Sequence, residues 1–156
     1  MVLTKTGLTN IGYGTWRLNY KVQETEIIQE TKKTEIADYK ADSIIGTGQN
    51  SVYVYYYDTY RKFAESYGKR FWECKIGRTD KEPLQRIFSQ AGTCYPELPH
   101  IALIIKCERS SQLESALHSV LKFRNRWIEN APGTEWFITS PEEVESIYQM
   151  LIDNKF

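Results

Sequence analysis

The sequence has few residues of the kinds that bind structural metals or form disulfide frameworks. It contains two histidines and three cysteines in 156 residues, and the cysteines are Cys74, Cys94 and Cys107. No two cysteines have CxxC spacing, and an odd number of them cannot pair completely. A structural zinc site and a disulfide scaffold are therefore both disfavoured. Reduced thiols are typical of the cytoplasm, and we expect a cytoplasmic protein.

The sequence also lacks long apolar runs, and its formal net charge is zero. No run approaches the ~20 apolar residues that span a bilayer, and we expect no membrane association. The N-terminal stretch MVLTKTGLTNIGYG lacks the pattern of a secretory signal. Because 20 basic residues balance 20 acidic ones, a broad nucleic-acid surface is disfavoured, although a local one is compatible with this balance. A chain that is 41% hydrophobic and 13% aromatic is expected to fold.

Two regions of different composition are present. Residues 1–48 are highly charged and show weak periodicity, so we predict an N-terminal extension that serves as a substrate clamp or a linker. The stretch GTGQNS, residues 46–51, is typical of a turn or a boundary. Residues 49–156 are predicted to form one domain.

Strand and helix signals are clear after this boundary. SVYVYYY and FWECKIG have strand propensity, and the continuous apolar run HIALIIKC is typical of a central strand. GTEWFIT is a further short strand or an extended edge. Helices are predicted for DTYRKFAESYG, DKEPLQRIFSQAG, SSQLESALHSVLKF and SPEEVESIYQMLI. This order predicts an α+β domain whose central, mostly antiparallel three-stranded sheet is flanked by helices.

The motif-bearing segments occur in a recognisable order: VYVYYY, CKIGRT, QRI, LESALH and GTEWF. This ordered pattern, over about residues 51–140, resembles the GIY-YIG endonuclease superfamily. It is most similar to the phage and bacterial branch whose second motif reads K-I-G. Ser51-Val52-Tyr53 stands at the place of G-I-Y, and Lys75-Ile76-Gly77 at the place of Y-I-G.

The resemblance implies a small GIY-YIG-like fold and an endonuclease that hydrolyses phosphodiester bonds with an activated water. Arg86 corresponds to the family arginine on the helix after the second motif, and Glu114 to the metal-binding glutamate. The implied cofactor is one Mg²⁺ or Mn²⁺ ion per site. The implied partner is DNA, with RNA not excluded, and a homo-oligomer or a larger nuclease assembly is also compatible.

The sequence departs from the family pattern at several positions. Serine replaces the first glycine at Ser51, and Lys75 replaces the second tyrosine. The late asparagine of many members has no clear match, and Glu135 lies near its place. An alternative function therefore stays open, in which a catalytically weak or inactive GIY-YIG-like module binds DNA and acts with a partner.

The chemistry of the two motif strands agrees with hydrolysis. A tyrosine with an ordinary pKa of ~10 is a poor base unaided, and a neighbouring ammonium would lower that pKa. We predict that Tyr53 orients or deprotonates water while Lys75 tunes it or binds phosphate. Tyr55 shares the strand face of Tyr53 and is its rival. Gly77 is predicted to let the strand end turn sharply beside a phosphate. The alternative for Tyr53 is an aromatic residue of the core.

Two helices carry the remaining candidates. An arginine fork at Arg86 suits phosphate oxygens, although a solvated helix arginine is the alternative. Glu114 is predicted to hold the metal ion, but Ser111 and Glu114 also match a capping box. His118 lies one turn later and could contact phosphate, assist proton transfer or pair with Glu114.

Other charged residues are predicted to surround this site. Four basic residues either contact a nucleic-acid backbone or form a solvated basic face. They are Arg78, Lys122, Arg124 and Arg126. Glu135 is interpreted either as a second metal ligand or as a hydrogen-bond anchor for the sheet.

Overall fold

The structure is a computed structural model that describes residues 39–91 and 96–153, together with the backbone of residues 8–10 and 16–18. The chain divides into two compact units, residues 1–39 and 40–156. In the first unit, strands β1 (Leu8–Asn10) and β2 (Trp16–Leu18) pair antiparallel. The other residues up to 38 lie outside the described part, and the predicted clamp or linker role stays a prediction.

The second unit contains five strands and four helices in its described residues. The strands are β3 (Ser43–Gly46), β4 (Asn50–Tyr56), β5 (Trp72–Thr79), β6 (His100–Cys107) and β7 (Trp136–Thr139). The helices are α1 (Asp58–Ser66), α2 (Pro83–Ala91), α3 (Ser110–Phe123) and α4 (Pro141–Ile152). The strands form one sheet in the order β3-β6-β4-β5-β7.

The predicted α+β class is confirmed, and the sheet is larger than predicted. Its central three strands, β6, β4 and β5, are antiparallel as expected. Two more strands lie at the edges, with β7 antiparallel to β5 and β3 parallel to β6. Strand β3 lies within the segment that was predicted to be an extension, residues 1–48, yet it pairs with β6 as part of the main sheet.

Alternation along β4 divides its side chains between two faces of the sheet. Val52, Val54 and Tyr56 join the main hydrophobic core, in which α3 and α4 contribute buried Leu117, Leu121, Val144 and Ile147. Tyr53 and Tyr55 point to the opposite face and are also buried. There α2 contributes buried Ile87 and Ala91, so the sheet is covered on both faces.

The last helix begins as the sequence predicts. The Ser140 hydroxyl accepts a hydrogen bond from the Glu143 backbone N–H at 3.2 Å, and Pro141 occupies the first turn. Proline suits this place because its missing N–H would have no partner within the helix. Among the helices that the structure describes, none is long and apolar enough to cross a membrane.

One edge of β5 is left open by the short neighbouring strand. In the described part of the chain, β7 pairs with β5 from Trp72 to Lys75, whereas β4 pairs with it as far as Thr79. The Ile76 N–H still donates to the Glu135 carbonyl at 3.0 Å. Beyond Ile76, the edge of β5 borders a cleft, and helices from both faces of the sheet contribute side chains to this cleft.

Candidate active site

The cleft beside the open end of β5 has a volume of about 410 Å³. Its lining comes from four described elements and the segments next to them, and most of the residues are charged or polar. These residues are Tyr53, Arg78, Thr79, Asp80, Lys81, Arg86, Gln90, Glu114 and Glu135. Three basic and three acidic side chains therefore face one small volume.

Tyr53 and Gly77 are partners across the β4–β5 pair. A β-carbon built on Gly77 would lie 2.6 Å from the phenol oxygen of Tyr53 and 2.8 Å from its ring carbon Cζ. Real β-carbon contacts are essentially never this short, so a side chain at position 77 would displace the Tyr53 ring. The missing β-carbon of Gly77 makes room for the Tyr53 ring. The sharp turn predicted at Gly77 is not present, because β5 continues to Thr79.

The phenol of Tyr53 is buried and held in its neutral form. Its hydroxyl donates a hydrogen bond to Oε1 of Gln90 at 2.7 Å. Burial raises the pKa of Tyr53 to about 12, the charge of Glu135 adds to this effect, and Arg86 opposes it. The sequence-based expectation that Lys75 would lower this pKa is not met, because Lys75 lies opposite Tyr55 in the strand pair.

Lys75 contributes to a neighbouring cavity rather than to the cleft. Its ammonium lies 3.3 Å from Oε2 of Glu135, and the two residues lie where β7 meets β5. Tyr55 lines the same neighbouring cavity as Lys75. Lys75 and Tyr55, which the sequence predicts to be part of the site, thus lie in the cavity next to the cleft. Lys75 is connected to the cleft through its ion pair with Glu135.

Glu114 forms an ion pair in the cleft. Its Oε2 lies 3.2 Å from Nε of Arg78. The capping-box alternative is wrong, because α3 begins at Ser110 and no side chain caps it. Burial raises the pKa of Glu114, the nearby charge of Glu135 raises it further, and Arg78 opposes both effects. Two carboxylates thus lie close enough to repel each other.

His118 supports the strand that carries the second motif. Its Nε2–H donates to the Ile76 carbonyl at 3.0 Å, and its ring packs on Phe137 with centroids 4.8 Å apart. Burial lowers the pKa of His118, so the ring is neutral at neutral pH. This contact positions β5 at the cleft, while the predicted role in proton transfer stays a prediction.

The basic residues at the end of α3 have protein partners. Arg124 and Arg126 both pair with Glu143, at 3.0 Å and 3.3 Å. The Lys122 ammonium lies over the ring of Trp127, 4.8 Å from its centroid. These side chains do not line the cleft, and their predicted contact with nucleic acid stays a prediction.

Five of the predicted residues therefore meet at one cleft, and the structure adds others. Tyr53, Arg78, Arg86, Glu114 and Glu135 converge there. Sequence reasoning missed Thr79, Asp80, Lys81 and Gln90. One signal could have found Gln90, because it lies four residues after Arg86 and thus on the same helix face.

Glu114 and Glu135 bring to the cleft carboxylate oxygens of the kind that hard divalent cations prefer. Burial is the main cause that raises the pKa of Glu114, and the charge of Glu135 raises it further. A cation beside the two carboxylates would oppose both effects. Across residues 39–91 and 96–153, no group of three or more histidine, cysteine or acidic side chains could hold an ion. Mg²⁺ commonly uses one or two carboxylates and completes its shell with waters and substrate oxygens.

One of the comparisons with known proteins identifies the family of the chain. A family model described as the T5orf172 domain matches residues 52–152. The chain belongs to the T5orf172 domain family. T5orf172 domains are phage-associated and belong to a nuclease-related group, which favours a nuclease or DNA-binding role. The matched T5orf172 segment contains every residue that lines the cleft. No curated protein and no solved structure gave a significant match.

Proposed function

We propose that this T5orf172 domain is a GIY-YIG-type endonuclease that hydrolyses phosphodiester bonds of DNA with an activated water and one divalent metal ion. The observation that carries the proposal is the convergence of Tyr53, Arg86 and Glu114 on one cleft from three different elements. These are the positions at which the sequence resembles the superfamily's tyrosine, arginine and glutamate.

The two arginines of the cleft would bind the scissile phosphate. A guanidinium offers several N–H donors in a planar fork that matches phosphate oxygens, and it stays charged at every working pH. Arg86 is exposed on α2 and reaches the cleft beside Tyr53. Donors that are already oriented stabilise the charge that develops in the transition state.

Glu114 would hold the metal ion, with Glu135 nearby. When bound, Mg²⁺ or Mn²⁺ supplies Lewis-acid stabilisation and lowers the pKa of a coordinated water. Arg78 pairs with Glu114, and a substrate phosphate would compete for that arginine. Substrate binding would therefore release the carboxylate that the cation needs.

Tyr53 would orient the attacking water through its neutral phenol. With a pKa raised to about 12, it cannot act as an unassisted base near pH 7. Gln90 fixes the hydroxyl because its Oε1 accepts the hydrogen bond that the phenol donates, at an O···O distance of 2.7 Å. Lys75 would act by holding Glu135 in place, and His118 by holding β5 at Ile76.

Plasmid nicking in the presence of Mg²⁺, Mn²⁺ or EDTA tests this function. We expect metal-dependent nicking that EDTA abolishes, and a loss of about 100-fold or more in Arg86→Ala and Glu114→Gln. Arg70→Ala and Glu129→Gln are matched controls, because both residues are exposed and lie outside the cleft. Full activity in Arg86→Ala and Glu114→Gln would overturn the proposal.

A second candidate function is a catalytically weak module of the same fold that binds DNA for a partner. The ion pair between Arg78 and Glu114 favours it, because it occupies the carboxylate that would bind metal. The raised pKa of Tyr53 points the same way. Salt-sensitive DNA binding without nicking in either metal would support this candidate over the nuclease.

A further inference from the structure

A second cavity lies beside the cleft and has an aromatic lining. Its volume is about 370 Å³, and Tyr55, Tyr57, Tyr60 and Trp136 contribute to its wall. Gln90 lines both this cavity and the cleft. The two volumes therefore lie side by side, and a ligand in one is adjacent to a ligand in the other.

The rings of this cavity are arranged around Trp136. Its indole lies edge-on to Tyr55, with centroids 5.9 Å apart, and nearly parallel to Tyr57 at 6.3 Å. Trp136 is half-buried on the edge strand β7, so part of its surface is available to a ligand. A volume near the lower end of the range for small-molecule sites suits one planar heterocycle.

Polar groups at the wall match the edge of such a heterocycle. Lys75 offers N–H donors, Glu73 offers carboxylate oxygens, and Gln90 carries a side-chain amide. Nucleobases present mixed donors and acceptors at their edges and an aromatic face for stacking. Lys75 also pairs with Glu135 of the cleft at 3.3 Å, which connects the two volumes electrostatically.

We propose that this aromatic cavity binds one unstacked nucleobase of the strand whose phosphate occupies the cleft. The preferred substrate is then single-stranded DNA or DNA with an unpaired base next to the scissile bond, because a base inside a duplex cannot enter a cavity. This inference rests on the proposed function for the identity of the neighbouring phosphate site.

Fluorescence anisotropy with two short oligonucleotides tests the inference. One is a deoxyadenosine strand, and the other is an abasic strand with the same number of phosphates. We expect the wild-type protein to bind the base-bearing strand about tenfold more tightly. Trp136→Leu and Tyr60→Leu should remove most of this difference while leaving the affinity for the abasic strand unchanged. Tyr67→Leu is the matched control, because Tyr67 is 68% exposed and lies outside the cavity.

Ala131→Phe is a second test that leaves the aromatic residues in place. Ala131 lies in the cavity wall outside the strands and helices, so the larger side chain should fill the cavity without altering the sheet. Equal wild-type affinity for the two strands overturns the inference, as does an Ala131→Phe variant that keeps the full preference. Base-dependent binding without nicking would refute only the nuclease, whereas metal-dependent nicking without base-dependent binding would refute only the base site.

Discussion

The Tyr53 ring lies against the backbone of Gly77, its partner on the neighbouring strand. The tyrosine of the first motif thus packs directly on the glycine of the second motif. The absent side chain at Gly77 sets the position of the phenol, and Gln90 then fixes the direction of its hydroxyl. Replacement of either motif residue should therefore disturb the other.

Gly77→Ala should lower the free energy of unfolding by about 1–3 kcal/mol, because the added methyl group would overlap the buried Tyr53 ring. Urea denaturation measures this loss. In a Tyr53→Leu background the same substitution should cost less, since the ring is no longer there. An equal cost in both backgrounds would show that the ring is not the cause.

Tyr53 should make stability depend on alkaline pH. Its pKa in the folded chain is about 12, whereas an unfolded chain has a tyrosine pKa of ~10. The stability that it contributes is present below about pH 10 and is lost as the pH rises towards about 12, by roughly 2–3 kcal/mol. Urea unfolding at mildly and strongly alkaline pH measures the effect. Tyr53→Phe should lose less stability over this range than the wild type, and identical losses would contradict the prediction.

Substitution of the two charged neighbours of Glu114 should shift its pKa in opposite directions. Glu135→Gln removes a negative charge and should lower that pKa, whereas Arg78→Gln removes the ion pair and should raise it. Carbon-13 NMR titration of glutamate carboxyl groups follows the change, with Glu114→Gln identifying the resonance. Shifts of the same sign in both variants would show that the charges do not act on Glu114 as described.

Glu143→Gln should destabilise the chain by about 1–3 kcal/mol. Glu143 pairs with both Arg124 and Arg126, it also accepts a hydrogen bond from Thr139 at 2.7 Å, and its side chain is only 10% exposed. The adjacent Glu142 is exposed, and Glu142→Gln should change stability little. Thermal unfolding of the two variants gives the comparison, and equal midpoints would contradict a structural role for Glu143.

The local patterns of the sequence predict much of the fold and part of the site. Strand alternation around Tyr53 and the helix that carries Arg86 depend on neighbouring residues, and these features are present in the structure. Convergence of Arg86 and Glu114 was predicted from the family pattern. Their approach from helices α2 and α3 is consistent with that expectation.

Features that depend on pairing between segments far apart in the sequence could not be predicted from local patterns. The segment between β4 and β5 contains a helix, so no turn type fixes the register that puts Lys75 opposite Tyr55. Strand β3 is four residues long and finds its partner β6 more than fifty residues away. The pairs of Glu143 with Arg124 and Arg126 likewise depend on how α3 and α4 pack, and no sequence spacing reports that.

The uncovered edge of β5 has a consequence for self-association. Strand edges with unpaired backbone groups recruit strands from other molecules unless charges discourage it. Here Arg78 lies at that edge, and Asp80 and Lys81 directly follow the end of β5 at Thr79. The charges that line the cleft would therefore also oppose the addition of a strand from another copy of the chain. An apolar replacement of Arg78 would invite aggregation, which makes glutamine the safer choice for studies of this position.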